Sequence, residues 1–168
     1  MELSKLRDKL LDIFDIDDIE KLPNALMRCV SNNNTAQMSD FCTALDDDLK
    51  SDQLQMVYQY YHADRQDKKQ DYTPRCLAQF LSRLIGDSTE TVDMCAGSGA
   101  LTIQRWQECP DTQFTLYEID GNVIPFLLFN LAVRNITATV YQGDVLQGEN
   151  TRGWKIERGE RFGRVISI

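Results

Sequence analysis

Residues 91–102 read TVDMCAGSGALT, a stretch in which a short β-branched run meets an acidic residue, a Gly-Ser-Gly corner and a helix-forming segment. Glycine lets the backbone turn sharply and lets a ligand approach it closely, because no Cβ stands in the way. A helix that follows such a corner offers free N–H groups in its first turn. The stretch therefore predicts a strand, a ligand-binding loop and a helix, which together begin an α/β unit.

The residues that follow continue to alternate between strand and helix patterns. In chain order the segments are ETVDMCA, GALTIQRWQEC (ended by Pro110), QFTLYEID, GNVIPFLLFNLAVRNI and TATVYQGD, with RFGRVISI as a fourth strand. Strands separated by single helices favour a right-handed parallel sheet, which binds ligands at the carboxyl ends of its strands. We therefore predict an α/β fold whose sheet lies within residues 71–168.

Residues 1–70 have helical periodicity instead, and we assign them to a separate helical region. A third, longer helix, capped by Ser39 or Asp40, is predicted to continue from Phe41 to Tyr61. The acidic cluster at 15–20 is interpreted as a solvated helix start, because it lacks the glycine and the twelfth-position acid of a calcium loop. An apolar stripe marks the first helix: Leu3, Leu6, Leu10, Ile13 and Phe14.

Composition excludes several classes of protein. A hydrophobic content of 42% and a charged content of 26% are ordinary for a globular chain. No apolar run reaches the ~20 residues of a membrane span, so we expect a cytoplasmic location and no membrane partner. The five cysteines include no C-x-x-C pair, so neither a zinc site nor any other metal site is predicted.

The charge of the chain bears on its partners. A net charge of -8 argues against unaided binding to nucleic acid, since phosphate contacts need an excess of Lys and Arg. The basic residues within 151–164 are interpreted as part of a solvated loop rather than as a DNA contact.

Acidic residues stand at the ends of the three predicted parallel strands. Asp93 precedes the glycine corner, and Glu118 follows Gly99 by 19 residues, close to the spacing at which an acid binds both hydroxyls of a ribose. Asp144 is placed to accept a hydrogen bond from an exocyclic amino group such as that of adenine. Each acid could instead be a helix cap or a loop carboxylate. Together they favour a ligand that contains adenosine.

Both NAD and S-adenosylmethionine contain adenosine, and the glycine pattern bears on the choice. Thr102 stands where the dinucleotide fingerprint has a third Gly or Ala, so close packing over a pyrophosphate is not supported. S-adenosylmethionine is therefore the favoured cofactor, and a nicotinamide-binding fragment stays as an alternative.

Four segments, QDYTPR at 70–75 and then DMCAGSGAL, LYEID and QGDVL, closely resemble the N6-adenine DNA methyltransferases of type I restriction-modification systems, in their methylation subunit. The resemblance covers roughly residues 40–168. It implies an N-terminal helical region followed by a partial Rossmann-like, S-adenosylmethionine-dependent methyltransferase domain. Met94 stands where the family usually has Pro. By position, the implied cofactor ligands are Tyr72, Thr73 and Pro74 at the methionyl end, Asp93, Gly97, Ser98 and Gly99 in the loop, Glu118 at the ribose and Asp144 at the adenine.

A second departure from the family concerns catalysis. Members carry Asn-Pro-Pro-Tyr/Phe at the tip of the fourth strand, where it binds the amine of the flipped adenine. Here the prolines are at 23, 74, 110 and 125 and none are adjacent, so no catalytic residue is predicted and the sheet is expected to be truncated after strand four. The resemblance then implies DNA binding only within a complete methyltransferase or complex, with specificity and restriction subunits as further partners.

The alternative to that function is a non-catalytic S-adenosylmethionine-binding or interaction module. We also expect VISI, at 165–168, to lie beside strand one with an open outer edge. Unpaired edge strands promote association, so this arrangement predicts a homodimer through the sheet edge. The alternative is a disordered terminal strand, with the N-terminal helices covering the exposed side of strand one.

Overall fold

A computed structural model describes residues 3–61, 73–86 and 88–168. The N-terminal part is helical, as predicted, and a 3-10 helix at Ile19–Lys21 joins its first two α-helices. Asp18 caps that 3-10 helix by accepting the Glu20 N–H at 2.9 Å, so the acidic cluster does contain a helix start. The α-helices are α1 (Leu3–Phe14), α2 (Leu22–Ser31), α3 (Thr35–Ala44) and α4 (Gln53–Tyr61).

The long third helix of the prediction is wrong, because the chain breaks between α3 and α4. Asp46 and Asp47 have positive φ angles of 53° and 56°, which an α-helix does not allow. Asn34, and not Ser39 or Asp40, caps α3 through its contact with the Gln37 N–H.

The second part of the chain has the predicted alternation of strands and helices. Helix α5 precedes the first strand, and three strands and two helices then follow in turn, which confirms the α/β, Rossmann-like fold class. The elements are α5 (Arg75–Leu84), β1 (Glu90–Asp93), α6 (Ala100–Glu108), β2 (Gln113–Glu118), α7 (Ile124–Val133), β3 (Ala138–Asp144), β4 (Glu149–Glu157) and β5 (Arg164–Ser167).

The sheet is mixed and has the order β1-β2-β3-β4-β5. Strands β1, β2 and β3 are parallel, whereas β4 and β5 are antiparallel additions beside β3. The prediction that the VISI strand neighbours strand one is therefore wrong: most of it lies in β5, at the opposite edge of a sheet with five described strands.

The interpretation of residues 151–164 as a loop is also wrong over most of β4. Trp154 and Ile156 are buried and pair with Val140 and Ala138, whereas Lys155 and Glu157 are exposed. This is the period-two pattern of a strand with one covered face. The density of charged residues obscured the pattern in the sequence.

The core joins the helical region to the sheet through α7. All ten residues of α7 are buried, because the helix lies between the sheet and the N-terminal helices. The Phe129 ring packs edge-to-face against Phe14 at 5.5 Å and against Phe41 at 5.0 Å between ring centroids. None of the described helices is long and apolar enough to span a membrane.

Candidate functional site

The loop between β1 and α6 depends on its two glycines. Gly97 and Gly99 have positive φ angles of 55° and 96°, which side chains with a Cβ rarely adopt. A Cβ on Gly97 would meet nothing within 4 Å, whereas one on Gly99 would lie 3.0 Å from Leu127 Cδ1. The loop thus leaves open space on one side, where a ligand can approach the backbone, and packs closely against α7 on the other.

Glu118 connects this loop to the end of the next strand. Its Oε2 accepts the Gly97 N–H at 2.8 Å, and its Oε1 accepts the Asp120 N–H at 2.8 Å. The Ala96 N–H also donates to the Tyr117 carbonyl at 2.9 Å. A carboxylate has about four lone-pair sites, so each oxygen can accept a further hydroxyl. The structure therefore brings Glu118 and the glycine loop together, as the sequence predicts.

Asp144 ends β3 at the same edge of the sheet. Glu118 pairs with Gln142, two residues before Asp144, so the two acids lie on neighbouring strands. Asp144 Oδ1 accepts the N–H groups of Leu146 at 2.9 Å and Gln147 at 3.4 Å. Asp144 therefore stabilises the turn into β4. Its other oxygen, Oδ2, takes part in neither of these two bonds.

Asp93 points toward a different space from the other predicted ligands. Its Oδ1 accepts the Cys95 N–H at 3.1 Å, while Oδ2 is buried and has no hydrogen-bond partner among the described residues. Burial raises the pKa of this carboxyl. A cavity of about 310 Å³ adjoins it, and Thr102 and Arg105 of α6 also line that cavity.

A second cavity, of about 490 Å³, is lined by part of the predicted 72–74 segment. Thr73 and Pro74 line it together with Ala100, the first residue of α6, and with Asp52 from the helical region. Tyr72, which the resemblance also assigns to the cofactor, lies outside the described residues. The structure thus brings the 73–74 segment close to the helix that follows the glycine loop.

A buried polar network behind the loop was not predicted from the sequence. Asn130 Nδ2 donates to the Ser98 carbonyl at 2.9 Å, and Asn130 Oδ1 accepts from Arg134 Nη1 at 2.8 Å. Arg134 also donates from Nε to the Leu49 carbonyl at 2.8 Å and from Nη2 to the Ser51 carbonyl at 2.9 Å. The available signal in the sequence was Asn130 within the otherwise apolar α7, followed four residues later by Arg134, which caps the end of that helix.

Arg134 carries an electrostatic cost in this position. Its side chain is buried, and burial lowers the pKa of the guanidinium to about 10. The negative charge of Asp52 opposes this shift and raises the pKa. The network nevertheless connects the glycine loop to residues 49–51 of the helical region. The helical region therefore supports the loop through Arg134 and Asn130.

Comparison with known proteins assigns the chain to a family. The family model described as methyltransferase small domain matches residues 66–155, more than half of the 168-residue chain. The chain belongs to the methyltransferase small domain family. Methyltransferase domains of this kind generally use S-adenosylmethionine. The match does not extend to a substrate.

No curated protein and no solved structure matches the chain. Within the described residues, the methyltransferase chain has no group of three or more His, Cys, Asp or Glu side chains that could hold a metal ion. The predicted ligands Thr73, Pro74, Asp93, Gly97, Ser98, Gly99, Glu118 and Asp144 thus stay predictions, each with the position described above.

Proposed function

We propose that these residues form the S-adenosylmethionine-binding portion of an N6-adenine DNA methyltransferase of a restriction-modification system. The observation that carries the proposal is the contact between Glu118 and Gly97, which places a carboxylate beside an open glycine loop. A ribose bound there would donate its hydroxyls to Glu118 while its sugar ring approached the backbone at Gly97.

The other residues have roles that follow from their positions. Asp144 would accept the exocyclic amine of adenine, and Thr73 and Pro74 would contact the methionyl end in the second cavity. When bound, S-adenosylmethionine supplies an electrophilic methyl group on its sulfonium. The protein residues hold and orient the cofactor, and the two cavities lie on either side of α6.

The DNA substrate is proposed on the sequence motifs. The segments QDYTPR, DMCAGSGAL, LYEID and QGDVL in this order support the adenine-specific family. Adjacent prolines are absent from the 168 residues, so an Asn-Pro-Pro motif would have to come from outside them. With a net charge of -8, DNA binding would depend on a complete methyltransferase or on specificity and restriction subunits.

The same absence supports a second candidate function, a non-catalytic S-adenosylmethionine-binding or interaction module. Both functions require cofactor binding, and they differ in methyl transfer. Addition of a protein fragment that carries the Asn-Pro-Pro-Tyr/Phe strand should restore transfer to adenine if the first function is correct. A module would bind the cofactor and stay inactive after this addition.

Calorimetric titration of the purified chain tests the proposal. We expect saturable binding of S-adenosylmethionine and none of NAD at the same concentrations. Binding of NAD alone, or of neither compound, would contradict the proposed function. In a parallel assay, transfer of labelled methyl groups to DNA by the pure chain, above a heat-killed control, would show that these residues already contain a catalytic site.

A further inference from the structure

Gln142 is a polar residue at the candidate site that the proposed function has not used. It lies opposite Glu118 in the parallel pair of β2 and β3, and Asp144 follows it by two residues on β3. Side chains two residues apart on a strand lie on the same face of the sheet. Gln142 therefore adjoins both the acid proposed for the ribose and the acid proposed for the adenine.

The side-chain amide of Gln142 is accessible and has no partner among the described residues. Its oxygen and nitrogen make no hydrogen bond there, and neither atom is among the fully buried polar atoms that lack a partner. The residue is partly exposed. A ligand at the carboxyl ends of β2 and β3 can thus reach this amide.

Two contacts hold Gln142 in this position. Its backbone carbonyl accepts the Thr151 hydroxyl at 3.1 Å, beside the point where the pairing of β3 with β4 shifts register. Its Nε2 packs on Gly121, in the loop that follows Glu118, where a Cβ would lie 2.7 Å from that nitrogen. Gly121 has no positive φ angle that would require glycine. The missing Cβ instead makes room for the Gln142 amide.

The hydrogen-bonding groups of adenine fit an amide beside a carboxylate. Adenine carries a donor, its exocyclic amine, next to ring nitrogens that accept. A carboxylate only accepts hydrogen bonds, whereas the amide of glutamine also donates them. Asp144 and Gln142 together therefore offer the acceptor and the donor that this edge of the base requires.

We infer that the Gln142 amide nitrogen donates a hydrogen bond to a ring nitrogen of adenine, while Asp144 accepts one from the exocyclic amine. This inference rests on the proposed function and adds a specificity-determining residue to it. Guanine carries only acceptors at the corresponding edge, so it would place an oxygen against the Asp144 carboxylate. The pair of side chains would therefore select adenine over guanine.

The experiment compares three ligands and three proteins by calorimetry. The ligands are S-adenosylhomocysteine and its 1-deaza and 7-deaza forms, each of which replaces by C–H one of the two ring nitrogens nearest the amine. The proteins are wild type, Gln142→Ala and Gln113→Ala, the last removing an exposed glutamine at the opposite end of β2. Urea denaturation of the three proteins measures the effect of each change on stability.

We expect Gln142→Ala to bind S-adenosylhomocysteine about threefold to tenfold more weakly, the effect of one lost hydrogen bond. One of the two deaza forms should bind wild type equally weakly. That form should lose nothing further in Gln142→Ala, because the two changes remove the same bond. Gln113→Ala should bind all three ligands as wild type does, and the urea midpoint of Gln142→Ala should match that of wild type.

A second variant, Gly121→Ala, tests the same contact from the other side. Its new Cβ would displace the Gln142 amide, so it should reproduce the ligand pattern of Gln142→Ala. Equal loss for all three ligands in Gln142→Ala would overturn the inference in favour of a structural role, and no loss for any would overturn it as well. A wild type that binds none of the ligands would refute the proposed function itself.

Discussion

The Glu118 carboxylate holds two parts of the chain together, with the Gly97 N–H at 2.8 Å from one oxygen and the Asp120 N–H at 2.8 Å from the other. The acid at the tip of β2 thereby orders the glycine loop before any ligand arrives. Pre-ordering of this kind reduces the entropy lost on binding. Loop shape and ribose recognition consequently depend on the same side chain.

Replacement of Glu118 by Ala should weaken S-adenosylmethionine binding by about 1.5 to 3 kcal/mol, the range for hydrogen bonds to charged groups. Glu118→Gln should lose less, because its amide oxygen can still accept one N–H. Glu157→Ala, which removes an exposed partner of Lys155 on β4, is the control and should bind as wild type. Calorimetry measures all three, and wild-type affinity in Glu118→Ala would show that the ribose assignment is wrong.

Gly99→Ala should destabilise the fold more than Gly148→Ala. Both positions have positive φ angles, 96° and 70°, which cost an alanine about 1–2 kcal/mol. Only at Gly99 would the new Cβ also press on Leu127 Cδ1, at 3.0 Å, with a further cost of about 1–3 kcal/mol. Urea denaturation gives the two free energies of unfolding. Equal losses would show that Leu127 moves aside without cost.

Arg134→Met should lower the free energy of unfolding by more than about 2 kcal/mol, because the part-buried carbonyls of Leu49 and Ser51 and the buried Asn130 side chain lose their donor. It should also weaken cofactor binding, since Asn130 then holds the Ser98 carbonyl less firmly. Arg158→Met, which removes an exposed ion pair with Asp111, should cost less than about 1 kcal/mol. Similar losses in the two variants would contradict the importance of the buried network.

The free energy of unfolding should decrease as pH rises through the titration of Asp52. Burial raises the pKa of this carboxyl above its ordinary value of 3.8, so in that window the folded state binds a proton that the unfolded chain has lost. Asp52→Asn lacks this titration, and Asp93, whose pKa is also raised, is common to both proteins. The variant should therefore gain stability relative to wild type as the pH rises above 3.8, the ordinary pKa of the carboxyl. Parallel stability curves for the two proteins would refute this expectation.

The homodimer through the sheet edge stays a prediction, now assigned to β5. The Ile168 N–H donates to the Gly153 carbonyl at 3.0 Å, so by the alternation of an antiparallel pair the Ser167 N–H points away from β4. Ser167→Pro should remove this outward donor and reduce dimer formation, whereas Ser167→Ala should not. Light scattering measures the mass of each protein. A monomeric wild type would exclude the dimer.

The sequence by itself determined the elements whose signals are local. Glycine at 97 and 99, the period-two run of β2 and the apolar run of α7 each specify a backbone conformation through steric or burial preferences of neighbouring residues. The same local order placed Glu118 and Asp144 at strand ends, because parallel strands joined by helices have their carboxyl ends at one edge.

Tertiary structure alone decided which elements became neighbours. The apolar residues of VISI indicate a strand. They do not indicate whether β1 or β4 is its neighbour in the sheet. Three further features were likewise not predictable from local patterns. They are the strand β4 with its many charges, the break between α3 and α4, and the contact of Asp52 with Asn130 and Arg134. They depend on contacts between residues up to 85 positions apart, such as Arg134 with Leu49, and patterns of neighbouring residues carry no information on such contacts.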